Sequence, residues 1–320
     1  MGDLEVTSAA LPGDGPLVLV HGGAWDIPDH VLDAHERGLM RGLRIGERAL
    51  SRGQSALDIA VEVAAALEDD GTFDAGRGSV LDLDGLPQLD AGLMEGSSMR
   101  WGAVANVRSL PNPIRAARAV LEDERQARLL VGEGAERFAA ESGLPAVATR
   151  AMISDREQER YERLLAYRAS HPEHAASAQM DVPKGTVGCV VVDLEGGLAS
   201  ATSTGGAPLT QPGRVGDSPI VGSGFYADGF AAASATGWGE AIATVQLCAR
   251  AVRRVEDGLE VEKAASKGLL ELAERVPWAS VVPTAGLLLA DAAGRATWAY
   301  STPRMARAFW RPGLDPYVGV

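Results

Sequence analysis

The sequence predicts an α+β fold in which β-sheets and helices stack as layers. Short apolar runs over 186–192 and 198–203 flank a Glu-Gly-Gly turn, which indicates two antiparallel strands. Segments with helical periodicity, such as 55–69 and 260–275, alternate with such strand pairs. Apolar residues make up 46% and charged residues 23% of the 320 residues, as in ordinary globular proteins. Because a sheet must bury its apolar face, these elements predict a layered sandwich of antiparallel sheets covered by helices.

The first half of the chain contains signals for several elements. Residues 1–15 indicate a loose start, and residues 17–20 indicate a short strand that runs into a glycine-rich loop. The helix over 55–69 has one apolar face, and Ser55 with Asp58 resembles a capping box at its start. The remaining predicted elements of this half are a hairpin over 79–90 that turns at Asp84 and Gly85, a strand over 101–107, a helix that starts at Asn112 and Pro113, and a helix over 125–141.

In the second half, the composition turns polar between about 150 and 184, which predicts a charged helix followed by a mobile connector. Cys189 and Cys248 stand in apolar surroundings, so we expect buried thiols rather than a disulfide. After the strands at 186–203, the predicted elements are a long helix over 239–256, the helix over 260–275, and a strand pair over 285–290 and 296–301.

The charge balance excludes several classes of partner. With 43 acidic and 30 basic residues, the formal net charge is −13, whereas nucleic acids and anionic membranes attract clustered Lys and Arg. The sequence has no apolar run that would span a bilayer and no basic, apolar leader, so we expect a cytoplasmic protein. The 38 glycines cluster in short motifs, which predicts tight turns and close approach of the backbone to a ligand.

Gly185 and Thr186 open the apolar run over 186–192 after a polar, proline-bearing lead-in. Threonine favours strands, so Thr186 has an ordinary structural explanation. Thr186 also has a functional explanation, in which cleavage after Gly185 makes Thr186 the N-terminus of a new chain. A threonine hydroxyl is a weak nucleophile that an amine on the same residue can activate, and such an amine has a pKa of about 7.7–8.0.

Short motifs on both sides of this pair favour the second explanation. They are 21–25 (HGGAW), 73–78 (FDAGRG), 89–94 (LDAGLM), 201–206 (ATSTGG), 212–219 (PGRVGDSP) and 235–240 (ATGWGE). In that order they resemble the plant-type L-asparaginase / isoaspartyl peptidase family of N-terminal nucleophile hydrolases. The resemblance runs from His21 to about Tyr300 and is weakest over 145–184. It implies a four-layer αββα sandwich, with two antiparallel sheets face to face and helices outside.

The resemblance implies a single hydrolase domain over 1–320 that cleaves itself into an α chain, 1–185, and a β chain, 186–320. Thr186 would attack the preceding carbonyl and move the acyl group from nitrogen to oxygen, after which water cleaves the ester. Glycine before Thr186 suits a strained backbone that a side chain would resist. The mobile linker, about 150–184, would end the α chain. The resemblance also implies a dimer of αβ heterodimers.

The resemblance assigns roles around the nucleophile Thr186. Thr204 would orient it by hydrogen bonding. Thr236, with the backbone N–H of Gly237, would stabilise the developing oxyanion, where one donor is worth about 3–4 kcal/mol. Without the resemblance, Thr204 and Thr236 are explained equally well as ordinary strand and turn residues.

Arg214 and Asp217 would bind the free amino-acid end of the substrate, in a pocket that includes Gly239. A guanidinium fork matches the α-carboxylate, and a carboxylate accepts from the α-ammonium. A surface ion pair between the two residues is the commoner outcome of their spacing. With the amino-acid end held, the scissile amide lies on the side chain of an aspartyl group.

Two positions depart from the family pattern. Asp74 stands where the family usually has asparagine near the nucleophile, and Trp238 stands where a smaller or polar residue is usual. An ionised Asp74 would raise the pKa of the Thr186 amine. Alternatively, Asp74 points away or is neutralised by Arg77.

The family requires no cofactor but holds a monovalent cation, commonly sodium, on backbone carbonyls. Carbonyl ligands leave no side-chain pattern, so the resemblance alone implies this ion. By position, the ligands would be the carbonyls of Leu67, Glu68, Asp70, Phe73, Ala75 and Arg77.

The implied activity is hydrolysis of small β-aspartyl amides, isoaspartyl dipeptides or L-asparagine, to L-aspartate. The alternatives are a glycosylasparaginase, a threonine-aspartase-like hydrolase, and an unprocessed protein that binds aspartyl compounds. The glycine-rich motif at His21 also resembles the oxyanion loop of α/β-hydrolase esterases, but the chain has no Gly-x-Ser-x-Gly motif.

Overall fold

The computed structural model describes residues 4–171, 185–276 and 282–320. Its strands, in chain order, are β1 (Thr7–Ala10), β2 (Leu17–Trp25), β3 (Leu89–Glu95), β4 (Trp101–Val107), β5 (Leu129–Val131), β6 (Val187–Val192), β7 (Leu198–Thr204), β8 (Phe225–Ala227), β9 (Ala231–Gly237), β10 (Ala285–Asp291), β11 (Ala296–Tyr300), β12 (Arg304–Trp310) and β13 (Tyr317–Gly319). Its α-helices are α1 (Leu32–Ser51), α2 (Ala56–Asp70), α3 (Pro113–Glu122), α4 (Gly132–Glu141), α5 (Asp155–Ser170), α6 (Gly239–Val245), α7 (Leu247–Glu256) and α8 (Val261–Arg275).

The strands form two sheets that pack face to face. The larger sheet has the order β13-β12-β2-β6-β7-β3-β4-β5, and the smaller has the order β1-β11-β10-β9-β8. Helices α1, α2 and α3 cover the larger sheet, and α7 and α8 cover the smaller one. This arrangement confirms the predicted αββα sandwich. One pair, β4 with β5, is parallel rather than antiparallel, because α3 crosses between these strands.

The central strands are buried on both faces, which explains their unbroken apolar runs. In β2, Leu17 and Leu19 lie between the sheets, whereas Val18 and Val20 pack towards the helices. β6 and β10 alternate in the same way. The core has three apolar layers, one between the sheets and one under the helices on each outer face, and each of these strands contributes to two of them. Full burial of one large apolar side chain stabilises the fold by about 1.5–3 kcal/mol.

Several elements agree closely with the sequence prediction. α2 begins after Ser55, whose hydroxyl accepts the Asp58 N–H, and α3 begins at Pro113. Cys189 and Cys248 are free and buried, as expected. α5 is the charged helix predicted within the polar segment of about 150–184, and residues 172–184 of that segment lie outside the described residues. No helix in the described ranges is long and apolar enough to cross a membrane.

Three predictions for the N-terminal half are wrong because distant strands decide the structure. The loose start contains β1, which pairs with β11. The segment after residue 20 is not a loop, since β2 continues to Trp25 by pairing with β12. In place of the hairpin over 79–90, Gly85 (φ +72°) closes a turn, and β3 then pairs with β4 and β7.

Two predicted helices are shorter than expected. The helix predicted over 125–141 begins at Gly132, because the preceding residues form the edge strand β5. The helix predicted over 239–256 is divided into α6 and α7 at Gln246, whose φ of +54° a continuous helix does not allow.

Contact between the sheets predicts the effect of one small substitution. A Cβ on Gly92 of β3 would overlap the buried ring of Phe225 in β8. We expect Gly92→Ala to lower the free energy of unfolding by about 1–3 kcal/mol, because the ring must leave its position. Urea or thermal unfolding measures this change.

Gly134→Ala in α4 is the matched control. A Cβ there meets nothing within 4 Å, and a helix prefers alanine to glycine by up to about 1 kcal/mol. This variant should keep or gain stability. Equal destabilisation of both proteins would contradict the packing explanation.

Candidate active site

Thr186 and Thr204 face each other at one end of the larger sheet. β6 and β7 pair with Val187 opposite Ser203, so the register sets Thr186 beside Thr204. The Thr186 hydroxyl donates to Thr204 Oγ1 at 3.0 Å, and the Gly206 N–H donates to the same oxygen at 3.0 Å. Thr186 is only 6% exposed. Because its proton is engaged by Thr204, the lone pairs of the Thr186 oxygen are left for other contacts.

His21 of β2 contacts Thr186 from the neighbouring strand. Its Nδ1 lies 3.0 Å from the Thr186 carbonyl oxygen, and its Nε2 lies 2.9 Å from Ser234 Oγ. Because a carbonyl oxygen only accepts, Nδ1 carries the hydrogen, and Nε2 accepts from the Ser234 hydroxyl. Burial lowers the pKa of His21 to about 3, so the ring is neutral. The sequence prediction missed this contact, for which the only signal was a histidine directly after an apolar strand.

β9 faces β6 across the sandwich and ends at the two residues predicted for the oxyanion site. A Cβ on Gly188 would overlap Ser234 Oγ, so the two strands touch there. Thr236 and Gly237 close β9, and Thr236 is fully buried. Gly237 has a φ of +136°, and a Cβ there would lie 2.6 Å from Ala285 Cα, so only glycine fits. Their role at an oxyanion stays a prediction.

Asp74 lies against Gly185, the residue before Thr186. A Cβ on Gly185 would lie 2.9 Å from Asp74 N, so this close approach requires glycine. Asp74 Oδ1 accepts the Val80 N–H at 3.0 Å, and Oδ2 is buried without a hydrogen-bond partner among the described residues. Burial raises the pKa of Asp74 to about 8. In the uncleaved chain this shift favours the protonated carboxyl near pH 7, and the effect of Asp74 on the free Thr186 amine stays a prediction. Arg77, the alternative neutralising partner, is exposed.

Arg214 and Asp217 lie together in one buried pocket rather than in a surface ion pair. The Arg214 Nε–H donates to Glu240 Oε1 at 2.9 Å. A Cβ on Gly239 would lie 2.9 Å from both Arg214 Nη2 and Asp217 Oδ1, so this glycine leaves room between the two side chains. Asp217 Oδ2 is buried and has no hydrogen-bond partner among the described residues. A guanidinium fork and an unpartnered carboxylate oxygen thus stand side by side.

Two further acids act on Arg214, and the sequence prediction gave neither a role. Glu240 accepts its Nε–H, and Asp90 Oδ2 accepts the N–H of Gly216, two residues after Arg214, at 3.4 Å. Burial raises the pKa of Asp90 to about 6 and that of Asp217 to about 7, and Arg214 opposes both shifts. Both missed acids belong to the quoted motifs at 89–94 and 235–240, but a lone acid in a motif does not reveal its partner.

Trp238, the second departure from the family pattern, lies between Gly237 and α6. It packs on the apolar layer under α7 and α8. Its side chain also hydrogen-bonds Glu240. Burial raises the pKa of Glu240, but this bond and Arg214 together lower it below its ordinary value. The large side chain thus supports the carboxylate that holds Arg214.

Glycines of the loop after α2 pack closely on backbone carbonyls. A Cβ on Gly76 would overlap the Glu68 carbonyl, and one on Gly78 would overlap the Phe73 carbonyl. The Glu68 side chain ties this loop to β7, because its Oε1 accepts the Ser203 hydroxyl proton at 2.6 Å. Two of the six carbonyls expected to hold a cation therefore pack directly against glycines, and the ion itself stays a prediction.

Comparison with known proteins covers nearly the whole chain. A family model described as asparaginase matches residues 14–317. The isoaspartyl peptidase/L-asparaginase of Danio rerio is 39% identical over 301 residues, 93% of this chain and 93% of that protein. The protein of the same name from Bos taurus is 39% identical over 287 residues, 89% of each chain. The plant-type L-asparaginase of Pyrobaculum calidifontis is 39% identical over 299 residues, 92% of this chain and 97% of that protein. As the ordered motifs predicted, this chain belongs to the plant-type L-asparaginase / isoaspartyl peptidase family.

Proposed function

We propose that this protein is a threonine hydrolase that processes itself and then cleaves β-aspartyl amide bonds, in isoaspartyl dipeptides, L-asparagine or both. The observation that carries the proposal is the buried Thr186–Thr204 hydroxyl pair directly after Gly185. The names of the relatives support the same substrates. The pocket of Arg214 and Asp217 supplies the charges that an aspartyl group requires.

Self-cleavage needs only the groups at the Gly185–Thr186 bond and water. The Thr186 oxygen attacks the Gly185 carbonyl carbon, and its proton passes to the Thr186 nitrogen as the C–N bond breaks. The resulting ester joins Gly185 to the Thr186 oxygen. Water then adds to the ester carbon, which leaves a Gly185 carboxylate and restores the Thr186 hydroxyl. The His21 N–H holds the Thr186 carbonyl at 3.0 Å, so the backbone on the far side of the nucleophile stays in place.

In the processed enzyme the free amine of Thr186 acts as the base for its own hydroxyl. The oxygen attacks the β-carbonyl carbon of the substrate, and Thr236 with the Gly237 N–H would stabilise the negative oxygen that forms. The proton passes to the leaving nitrogen, and the product is an aspartyl ester of Thr186. A water molecule, deprotonated by the same amine, cleaves this ester and releases L-aspartate.

Arg214 and Asp217 would bind the α-carboxylate and the α-ammonium of the substrate. The Arg214 fork matches the α-carboxylate, while the unpartnered oxygen of Asp217 accepts from the α-ammonium. Glu240 accepts the Arg214 Nε–H, while Asp90 accepts the Gly216 N–H and attracts the guanidinium only by its charge. Because an unpaired buried charge is costly, a ligand that lacks either charge is disfavoured.

We also propose a sodium ion in the loop after α2. The carbonyls of Glu68 and Phe73, which lie close to Gly76 and Gly78, would contribute two ligands. Those of Leu67, Asp70, Ala75 and Arg77 would complete the set by position. Bound there, the ion would stabilise the loop that carries Asp74, because it would join several carbonyl oxygens at one centre. Assembly as a dimer of αβ units and a cytoplasmic location stay predictions.

Self-cleavage is the first outcome to measure. We expect purified protein to run as two chains on a denaturing gel, 1–185 and 186–320, with threonine as the first residue of the smaller one. Thr186→Ala removes the attacking oxygen, so this variant should stay whole. N-terminal sequencing and mass spectrometry locate the cut.

Thr244→Ala is the control, because this threonine is exposed on α6 and remote from Gly185 in the sequence. It should process like the wild-type protein. A smaller chain that starts at another residue would disprove Thr186 as the nucleophile, as would full processing of Thr186→Ala.

Arg214→Gln tests substrate binding separately from processing. We expect normal self-cleavage but a loss in kcat/KM for β-aspartyl substrates equivalent to about 2–5 kcal/mol, because nearby buried acids lose their only described cationic partner. Arg250→Gln, which removes a surface ion pair with Glu271, should leave kcat/KM unchanged. Unaltered kinetics in Arg214→Gln would remove this residue from the substrate site.

The pKa of Asp217 predicts a pH dependence of ligand binding. Only the deprotonated carboxylate accepts from an ammonium, and burial raises this pKa to about 7, with Arg214 opposing and Glu240 and Asp90 adding to the rise. The affinity for L-aspartate, measured as a competitive inhibitor, should therefore weaken roughly tenfold between pH 7 and pH 5.5.

Protonation of the Thr186 amine would instead strengthen the binding of L-aspartate as the pH falls, because a cationic amine attracts a bound anion. The sign of the slope therefore assigns the effect to Asp217. In Asp217→Asn the residual inhibition should lose this slope. An inhibition constant that is flat in the wild-type protein over this range would refute the assignment.

A further inference from the structure

A cleft of about 280 Å³ reaches Gly185 from the side of α5. Buried Gly185 and exposed Arg163 both line it, so the cleft runs from the surface to the scissile bond. Trp25 and Val31 contribute apolar walls, and Arg156 and Arg160 line it beside Arg163. It therefore combines an apolar wall with a row of guanidinium groups from one helix.

The cleft is positively charged, although the whole chain has a net charge of −13. Arg156 and Arg160 both pair with Glu157 at 2.7 Å, so one carboxylate serves two guanidinium groups. Arg156 also donates to the carbonyls of Thr72 and Gly78, which fixes its position. Arg163 pairs with no carboxylate of the described residues, so within that part of the chain at least one cationic charge of the cleft is left uncompensated.

The cleft and the Arg214 pocket both adjoin the strand end at Thr204. A Cβ on Gly205 would overlap Asp74 Oδ1, and Asp74 lines the cleft. A Cβ on the next residue, Gly206, would instead lie 3.6 Å from Arg214 Nη1. Since Thr204 contacts the Thr186 hydroxyl, the two cationic sites adjoin residues directly after the partner of the reacting oxygen.

We propose that the α5 cleft is the leaving-group site of the enzyme and binds the carboxylate of the amino acid released from an isoaspartyl peptide, with Arg163 as its recognition residue. This inference rests on the proposed function. If the aspartyl end is held at Arg214, the leaving group extends on the other side of Thr186. An isoaspartyl dipeptide carries a carboxylate there, whereas L-asparagine releases ammonia. The cleft therefore favours isoaspartyl peptides over L-asparagine.

The arginines of the cleft would also attract a carboxylate of the protein itself. Self-cleavage creates one at Gly185, which lines the cleft. If that carboxylate occupied the site, Arg163 would influence all substrates alike. If the leaving group occupies it, Arg163 influences only substrates that carry the carboxylate, and the experiment below separates the two sources.

The test compares β-aspartyl-leucine with β-aspartyl-leucinamide, which differ only in that carboxylate, in the fully processed enzyme. We expect the wild-type protein to show a kcat/KM about tenfold or more higher for the acid than for the amide, the size of a charge-assisted hydrogen bond. In Arg163→Gln this preference should disappear. Arg168→Gln, on the same helix but outside the lining of the cleft, should keep it.

Equal kcat/KM for acid and amide in the wild-type protein would overturn the proposal, and this comparison requires no variant to fold. Retention of the full preference in Arg163→Gln would also overturn it. An equal change for acid, amide and L-asparagine in Arg163→Gln would assign the cleft to the Gly185 carboxylate instead. If the processed protein hydrolyses none of the three substrates, the proposed function itself fails. If it hydrolyses them without discrimination, only the leaving-group site fails.

Discussion

Thr186 lies opposite Thr204 because β6 pairs with β7 in a single antiparallel register. A slip by one residue would turn the side chains of a strand to the opposite face. Such a slip is prevented by packing, since both strands bury apolar side chains on the helix side and between the sheets. The position of Thr186 beside Thr204 therefore depends on the packing of the whole sandwich more than on the local contacts of Thr186.

Polar side chains inside the sandwich connect the two sheets near this register. Ser234 of the smaller sheet contacts His21 at 2.9 Å and Thr202 at 2.7 Å, both in the larger sheet. Buried polar groups are costly unless they are hydrogen-bonded, so this network specifies one relative position of the sheets. Gly188 permits the close approach, because a Cβ there would overlap both His21 and Ser234. The network thus fixes where β9 ends relative to Thr186.

Charge is concentrated in the same region. Arg214 faces Asp217, Asp90 and Glu240, and two of these acids are buried deeply enough that their pKa values rise. The four groups act as a unit, because removal of one charge leaves the others without compensation in a poorly solvated site. In the cleft that Gly185 lines, the guanidinium groups of α5 outnumber their described acidic partner, Glu157. A substrate between these sites would meet cations at both ends.

The sequence alone determined the sandwich, the strands β6 and β7 and the helix α2, because their apolar periodicity and capping residues act over a few positions. The resemblance of the ordered motifs to a known family also marked Thr186 and the Arg214 motif, whereas their residue types alone allowed an ordinary strand threonine and a surface ion pair. Long-range pairing decided the rest. β1 forms a strand because it pairs with β11, and β2 extends through His21 because β12 pairs with it as far as Trp25. The partner of Arg214 and the protonation of Asp74 depend on burial and distance in three dimensions, which neighbouring residues in a sequence do not encode.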